Sequence, residues 1–197
     1  MKRAILGAVA LAASAITIPA LAQSGMNLAS GHPYVGLGAG ASKINSGCVD
    51  GFSCDRSDTA IKLYGGWELP NHLAAELTYF DLGKFKTSSD ASSFETKGSY
   101  WGLGGAWRPE FGNGWGGVAR LGAAYTEGKV DYSLGGVGAS ETRNSWHPYA
   151  GLGVSYEVAK GIKLEADWDN TQISTRVQGV GSTNYVNSYT LGASFAF

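Results

Sequence analysis

Eight segments of this chain alternate apolar with small or polar residues at strict period two, which is the periodicity of β-strands. They cover residues 34–43, 60–69, 73–81, 100–108, 118–126, 149–156, 162–168 and 189–197. In 60–69, Ile61, Leu63, Trp67 and Leu69 share one face, and Lys62, Tyr64, Gly66 and Glu68 share the other. In 162–168, Ile162, Leu164, Ala166 and Trp168 oppose Lys163, Glu165 and Asp167. No stretch of comparable length carries a helical period. Thirty glycines in 197 residues point the same way, because each interior glycine costs a helix about 1 kcal/mol against alanine. Aromatics at 12% argue against a disordered chain, and a net charge of −1 argues against a nucleic-acid partner. Gly36, Gly38 and Gly40, and the Gly-Leu-Gly runs at 102–104 and 151–153, lie inside strands. They do not occupy a strand-to-helix junction, so no nucleotide loop and no cofactor is expected.

The first 22 residues read as an address. Lys2 and Arg3 precede an apolar run that Pro19 breaks, and Ala20-Leu21-Ala22 supplies the small residues of a cleavage site between Ala22 and Gln23. The run is too short for the ~20 residues that cross a bilayer as a helix. The expected organisation is therefore a cleaved signal peptide, 1–22, and one domain, 23–197. The two remaining fates are a soluble exported protein and a membrane β-barrel.

The connections decide between them. Residues 45–58, 82–98, 127–146 and 169–185 are long, whereas 70–72, 109–116 and 157–161 are short. Both chain ends fall on the short side. That is the rim asymmetry of an outer-membrane barrel. The apolar faces carry Trp and Tyr near strand ends, where interfacial girdles sit. The opposite faces are mostly Gly, Ser and Thr with isolated charges, too bare for a water-exposed surface. The predicted fold is an all-β, eight-stranded antiparallel up-and-down transmembrane β-barrel in the cell outer membrane. Eight strands leave an interior that side chains fill. Trapped charges must then compensate one another, and Lys62, Glu76, Arg120, Lys163, Glu165 and Asp167 form the predicted interior ionic network.

Residues 75–83 (Ala-Glu-Leu-Thr-Tyr-Phe-Asp-Leu-Gly), Arg120-Leu121-Gly122, 163–168 (Lys-Leu-Glu-Ala-Asp-Trp) and the ending 189–197 resemble strands of the OmpA-type transmembrane domain. The resemblance spans essentially the whole exported part. It implies that Glu76, Arg120, Lys163 and Glu165 belong to the family's interior ionic network, and that Phe197 is the terminal aromatic recognised by the outer-membrane assembly machinery. Two departures stand out. The family's interior lysine on strand four has no counterpart, because Gly102, Gly104 and Ala106 occupy that face, with Arg108 at the turn end instead. The chain stops at Phe197, so the peptidoglycan-binding domain of full-length members is not expected.

Three further groups carry candidate chemistry. Cys48 and Cys54 lie in the first long connection; in an oxidising compartment a disulfide is the default, with a metal pair as the alternative. Ser145 and His147 suggest a lipid A-modifying hydrolase, but strand parity turns both inward and no acid partner is evident, so no catalysis is expected. The ionic set is read as structural, with an ion-conducting gate as the alternative. The overall expectation is a non-enzymatic barrel with a role in envelope integrity and surface contact through its outer loops. Its partners would be outer-membrane lipid and lipopolysaccharide, the assembly machinery, and host surfaces or phage.

Overall fold

The computed structural model describes residues 31–45, 53–89, 92–134, 137–177 and 180–197. The proposed signal peptide with its Ala22–Gln23 junction, Cys48, and the side chain of Cys54 lie outside the described residues. The strands are β1 (His32–Ile44), β2 (Ser53–Asp55), β3 (Ser57–Glu68), β4 (Leu73–Ser89), β5 (Ser92–Trp107), β6 (Glu110–Gly112), β7 (Trp115–Leu134), β8 (Val137–Ala159), β9 (Ile162–Val177) and β10 (Val180–Ala196). The eight long ones close on themselves. Each pairs antiparallel with its neighbours in the order β1-β3-β4-β5-β7-β8-β9-β10, and β10 pairs back onto β1 with Val35 opposite Phe195 and Ala41 opposite Tyr189. Closure leaves no unpaired edge at membrane level, which lipid requires of a spanning sheet.

The alternation fixes which face is outside. Leu63, Leu121 and Leu191 are 51%, 71% and 72% exposed, while their inward neighbours Lys62, Arg120 and Thr190 are buried. Such an inside-out pattern is stable only where the solvent is hydrocarbon. On the outer side, Tyr79, Trp101, Tyr125 and Trp146 stand directly opposite one another on β4, β5, β7 and β8, forming one aromatic rung. Ring centroids in that rung are 4.8 Å apart for Tyr79–Trp101 and 5.2 Å for Tyr125–Trp146. Trp67, Trp107, Trp115, Tyr156, Phe195 and Phe197 are exposed at the other end.

The short connections are tight. His72 (φ 63°) closes the turn after β3, and Gly112, Asn113 and Gly114 all have positive φ in the turn before β7. The long connections differ from the sequence expectation. Much of 82–98, 127–146 and 169–185 is paired strand: β4 and β5 run together to Ser89 and Ser92, β7 and β8 to Leu134 and Val137, and β9 and β10 to Val177 and Val180. Above the aromatic rung the outward face meets water while the inward face stays buried at Leu82, Phe85 and Val130, so the outward half of the hydrophobic alternation stops although the backbone geometry continues.

The extensions do not keep the barrel circular. Pairing of β8 with β9 begins only at Ala150 and Asn170, although both strands continue outward. The β9–β10 hairpin instead leans across the mouth, and Ile173 lands on Gly98 and Gly128 of β5 and β7, which face each other. A Cβ on Gly98 would stand 2.5 Å from Ile173 Cδ1, and one on Gly128 would stand 2.8 Å from its Cγ2. These two glycines are the seat of the cap.

Candidate functional site

The barrel interior is filled in layers. At mid-height Arg120 donates from Nε to Glu76 (2.8 Å), from Nη1 to Asp167 (2.9 Å) and from Nη2 to Glu165 (3.2 Å). Toward the outer side, Lys62 Nζ lies between Asp167 (2.9 Å) and Asp169 (2.7 Å). The carboxylates spend their remaining acceptor capacity on hydroxyls. Tyr34 and Thr78 donate to Glu76 (2.7 and 3.1 Å), Tyr149 to Asp169 (2.7 Å) and Ser194 to Glu165 (2.6 Å). Arg120 and Lys62 each also lie 5.1 Å from the Tyr64 ring centroid. A buried ion is tolerable when its lone pairs and protons are all taken up in this way.

Of the residues expected in the network, Lys62, Glu76, Arg120, Glu165 and Asp167 are brought together. Lys163 is not, which corrects the expectation. It faces inward by parity but sits one rung from the end of β9, where it reaches the rim and donates to Glu110 (2.9 Å). Three members were missed. Arg108 is 4% exposed and donates to Glu165, with Glu68 3.4 Å and Glu76 3.9 Å away. It stands just beyond β5, its N–H held by the His72 carbonyl (2.8 Å), and its guanidinium lies 4.4 Å from the Tyr34 ring. It thus supplies a third interior cation at the place where the strand itself offers Gly102, Gly104 and Ala106. Asp169 was missed because the expected strand stopped at Trp168, although the series 163, 165, 167 points to 169. Glu68 falls on the polar face of its strand by period two, and its cation, Arg108, lies too far along the chain for the pattern to pair them.

Above the ions lies a layer that a polar interior does not predict. Phe80, Leu82, Tyr100, Ile173 and Val186 are at most 2% exposed and pack with Ile44, Phe85 and Tyr149. Phe80 and Tyr100 stack with centroids 4.9 Å apart. Higher still, His147 Nε2 and Ser174 Oγ are 3.0 Å apart and Ser174 continues to Thr183 (2.9 Å). Ser145 faces inward but is not joined to His147; its hydroxyl has no partner. The Ser145–His147 combination therefore has neither the base contact nor the acid that nucleophilic catalysis needs. Among the described residues no group of His, Cys, Asp and Glu is arranged to hold a metal.

A closed eight-stranded sheet with a lipid-compatible outside, aromatic girdles and an ion-paired, filled interior is a small transmembrane β-barrel. A sequence profile of the outer membrane protein beta-barrel domain matches residues 8–197, and the chain belongs to that family. Its fold is shared with Neisserial surface protein A (17% identity, TM-score 0.58, 84% of this chain and 97% of that one) and with Ail, the attachment invasion locus protein of Yersinia pestis (18%, 0.56, 85% and 99%). It is also similar to a major outer membrane protein of Thermus thermophilus (15%, 0.50, 86% and 100%). Comparison with curated proteins finds no match. The protein is thus a small outer-membrane barrel of the OmpA-like type, located in the outer membrane.

Proposed function

We propose that the protein is a non-enzymatic envelope component that stabilises the outer membrane as an inert barrel and meets its surroundings through its outer hairpins. The observation that carries this reading is the contrast between a filled core and an elaborated rim. Ionic and apolar layers occupy the axis, whereas three hairpins extend past the aromatic rung, with a charged outward face on the β4–β5 and β7 strands and a mostly uncharged polar one on β9–β10. The same layers weigh against an ion-conducting pore, and the isolated Ser145 weighs against a lipid A hydrolase. Residues 1–22 serve as a signal peptide removed between Ala22 and Gln23. Phe197, exposed and tied by its N–H to the Pro33 carbonyl (3.1 Å), serves as the aromatic read by the assembly machinery. Cys48 and Cys54 form a disulfide that stiffens the first outer loop. Host-surface or phage contacts fall to the hairpins.

The test is a deletion strain challenged with detergent and bile salts, complemented with the wild type or with a version whose β7–β8 hairpin is shortened to the aromatic rung. Both versions should restore resistance, and only the full-length one should restore surface contacts such as phage adsorption. A deletion strain unchanged in both respects overturns the proposal. Steady single-channel currents from the wild type in planar bilayers would replace it with a pore.

A further inference from the structure

Outside the hydrocarbon level the wall of the barrel has two unlike faces. On β4, β5 and β7 it is ionic. Lys97 lies 3.2 Å from Glu95 and 3.3 Å from Asp131, and Lys129 lies 3.4 Å from Asp131. On β1, β10 and β9 it is built of amides and aromatic rings. There the aromatic rung is Trp168 opposite Tyr189. The next rung outward is Asn170 opposite Asn187, with Lys43 beyond it on β1. The rung after that is Gln172 opposite Tyr185, and Asn45 donates its backbone N–H to the Tyr185 carbonyl (2.8 Å). Where these last two rungs cross the three strands, Lys43 is the one charged residue among the described residues.

The amides of this face are oriented by their neighbours. The indole N–H of Trp168 can only donate, and it meets Asn187 at 3.0 Å, so the atom it meets is Oδ1. Asn170 Nδ2 donates to the same oxygen (3.0 Å) and to the Val186 carbonyl (3.4 Å). These bonds use the acceptor end of Asn187 and the donor end of Asn170. Each residue keeps its opposite end, so an Nδ2 donor and an Oδ1 acceptor stand side by side on adjacent strands. Beside them Tyr185 is 53% exposed. It lies four residues, roughly 13 Å, further out along β10 than Tyr189, beyond the level at which an aromatic girdle serves.

The geometry points to a binding site for an uncharged oligosaccharide on this face. Asn187 Nδ2 donates to one ring hydroxyl, Asn170 Oδ1 accepts from the neighbouring one, and the apolar face of a sugar ring lies on Tyr185. Gln172 flanks the pair on β9. Vicinal hydroxyls offer a donor and an acceptor at this spacing, and neither side brings a charge whose desolvation must be offset. The phosphorylated sugars of the cell's own lipopolysaccharide suit the face less well, since Lys43 alone would meet them. The inference rests on the outer-surface reading above and names the ligand class for one of its hairpins.

The full-length barrel is placed in phosphatidylcholine nanodiscs, free of sugar-headed detergents. It is titrated by calorimetry with lacto-N-neotetraose, maltohexaose and mannohexaose, and with a heparin hexasaccharide and the strain's own lipopolysaccharide. At least one uncharged probe should bind saturably, with the same affinity at about 50 mM and about 500 mM salt, because no ion pair is screened. Tyr185→Ala and Asn187→Ala should each weaken it roughly five- to tenfold, whereas Tyr185→Phe and Asn184→Ala should leave it within about twofold. The fold of each variant is checked by its unheated mobility on gels. No binding by any uncharged probe, binding that survives both alanine changes at Tyr185 and Asn187, or tighter binding of heparin or lipopolysaccharide overturns the proposal. Tyr185→Cys on intact cells, treated with an impermeant maleimide and compared with the parent strain, separates the failures. Labelling without sugar binding defeats this site alone, and absence of labelling defeats the surface reading beneath it.

Discussion

Each long strand is two different objects on either side of the aromatic rung. On β7, residues 119–125 face hydrocarbon outward and bury Arg120 and Ala124 inward, so every second residue is constrained by a low-dielectric neighbour. Residues 127–131 of the same strand have the same backbone pairing, yet Glu127, Lys129 and Asp131 meet water. An ion pair in the first region is insulated and indispensable. One in the second region is screened and worth little, as exposed pairs generally are. Hydrogen-bond geometry does not distinguish the regions; solvent does.

The largest test of that difference removes a cation from each region. Arg120→Met leaves Glu76, Glu165 and Asp167 without their shared partner inside the barrel. The expected loss is about 3–5 kcal/mol, the usual consequence of orphaning buried charge, read as a fall in the urea midpoint for loss of the unheated gel form. Lys97→Met, which touches Glu95 and Asp131 at the surface, should leave the same midpoint within its experimental error. Comparable losses would mean that the outer cluster is not solvated as its exposure indicates.

A smaller effect probes the cap. Ile173→Ala removes the side chain seated on Gly98 and Gly128 in the fully buried apolar layer, and core Ile→Ala changes cost about 2–5 kcal/mol. The expected value lies at the low end, because the β9–β10 hairpin can settle into the gap. Amide exchange should accelerate in β9 and β10 beyond Asn170 while the residues between the girdles keep their protection. Exchange rising uniformly around the barrel would show that the cap is not a separable unit.

The same boundary governs what the sequence reveals. Membrane-level strands, their number, their order and the inward position of Glu76, Arg120 and Glu165 follow from period two, because lipid outside and packing inside force every residue to declare its face. Above Tyr79 and Trp101 the lipid half of that forcing disappears, so the outward residues turn polar and paired strand such as 82–89 reads as loop, although Leu82 and Phe85 still pack inward. Arg108 and Lys163 show a second limit. Both point inward near the rim of short turns, yet the Arg108 side chain swings into the core and that of Lys163 turns to Glu110. Parity gives a side chain's face but not its reach. Phe80 and Leu82 do carry a signal, as large apolar residues at inward positions, and a purely polar interior cannot accommodate it.

The most delicate test sits at the boundary itself. Gly83 (φ 72°) marks the bulge at which β4 shifts its register against β5, between Asp81 and Lys84. Asp58 of β3 pins that bulge through the N–H groups of Lys84 and Thr59, and those two bonds hold its carboxyl below the ordinary range. An unfolded aspartate titrates near 3.9, so the folded group is the stronger acid. Its contribution is fully present above the unfolded value and is lost as pH falls through the folded one. The carboxylate is largely solvated, so the contribution stays under about 1 kcal/mol. Asp58→Asn should therefore lower stability slightly at pH 7, and the gap between variant and wild type should close as pH falls below about 4, the unfolded value, and through the lower folded one. A gap independent of pH would mean that the side chain holds the bulge by shape rather than by charge. In that case even this exposed anchor would follow the rules of the interior.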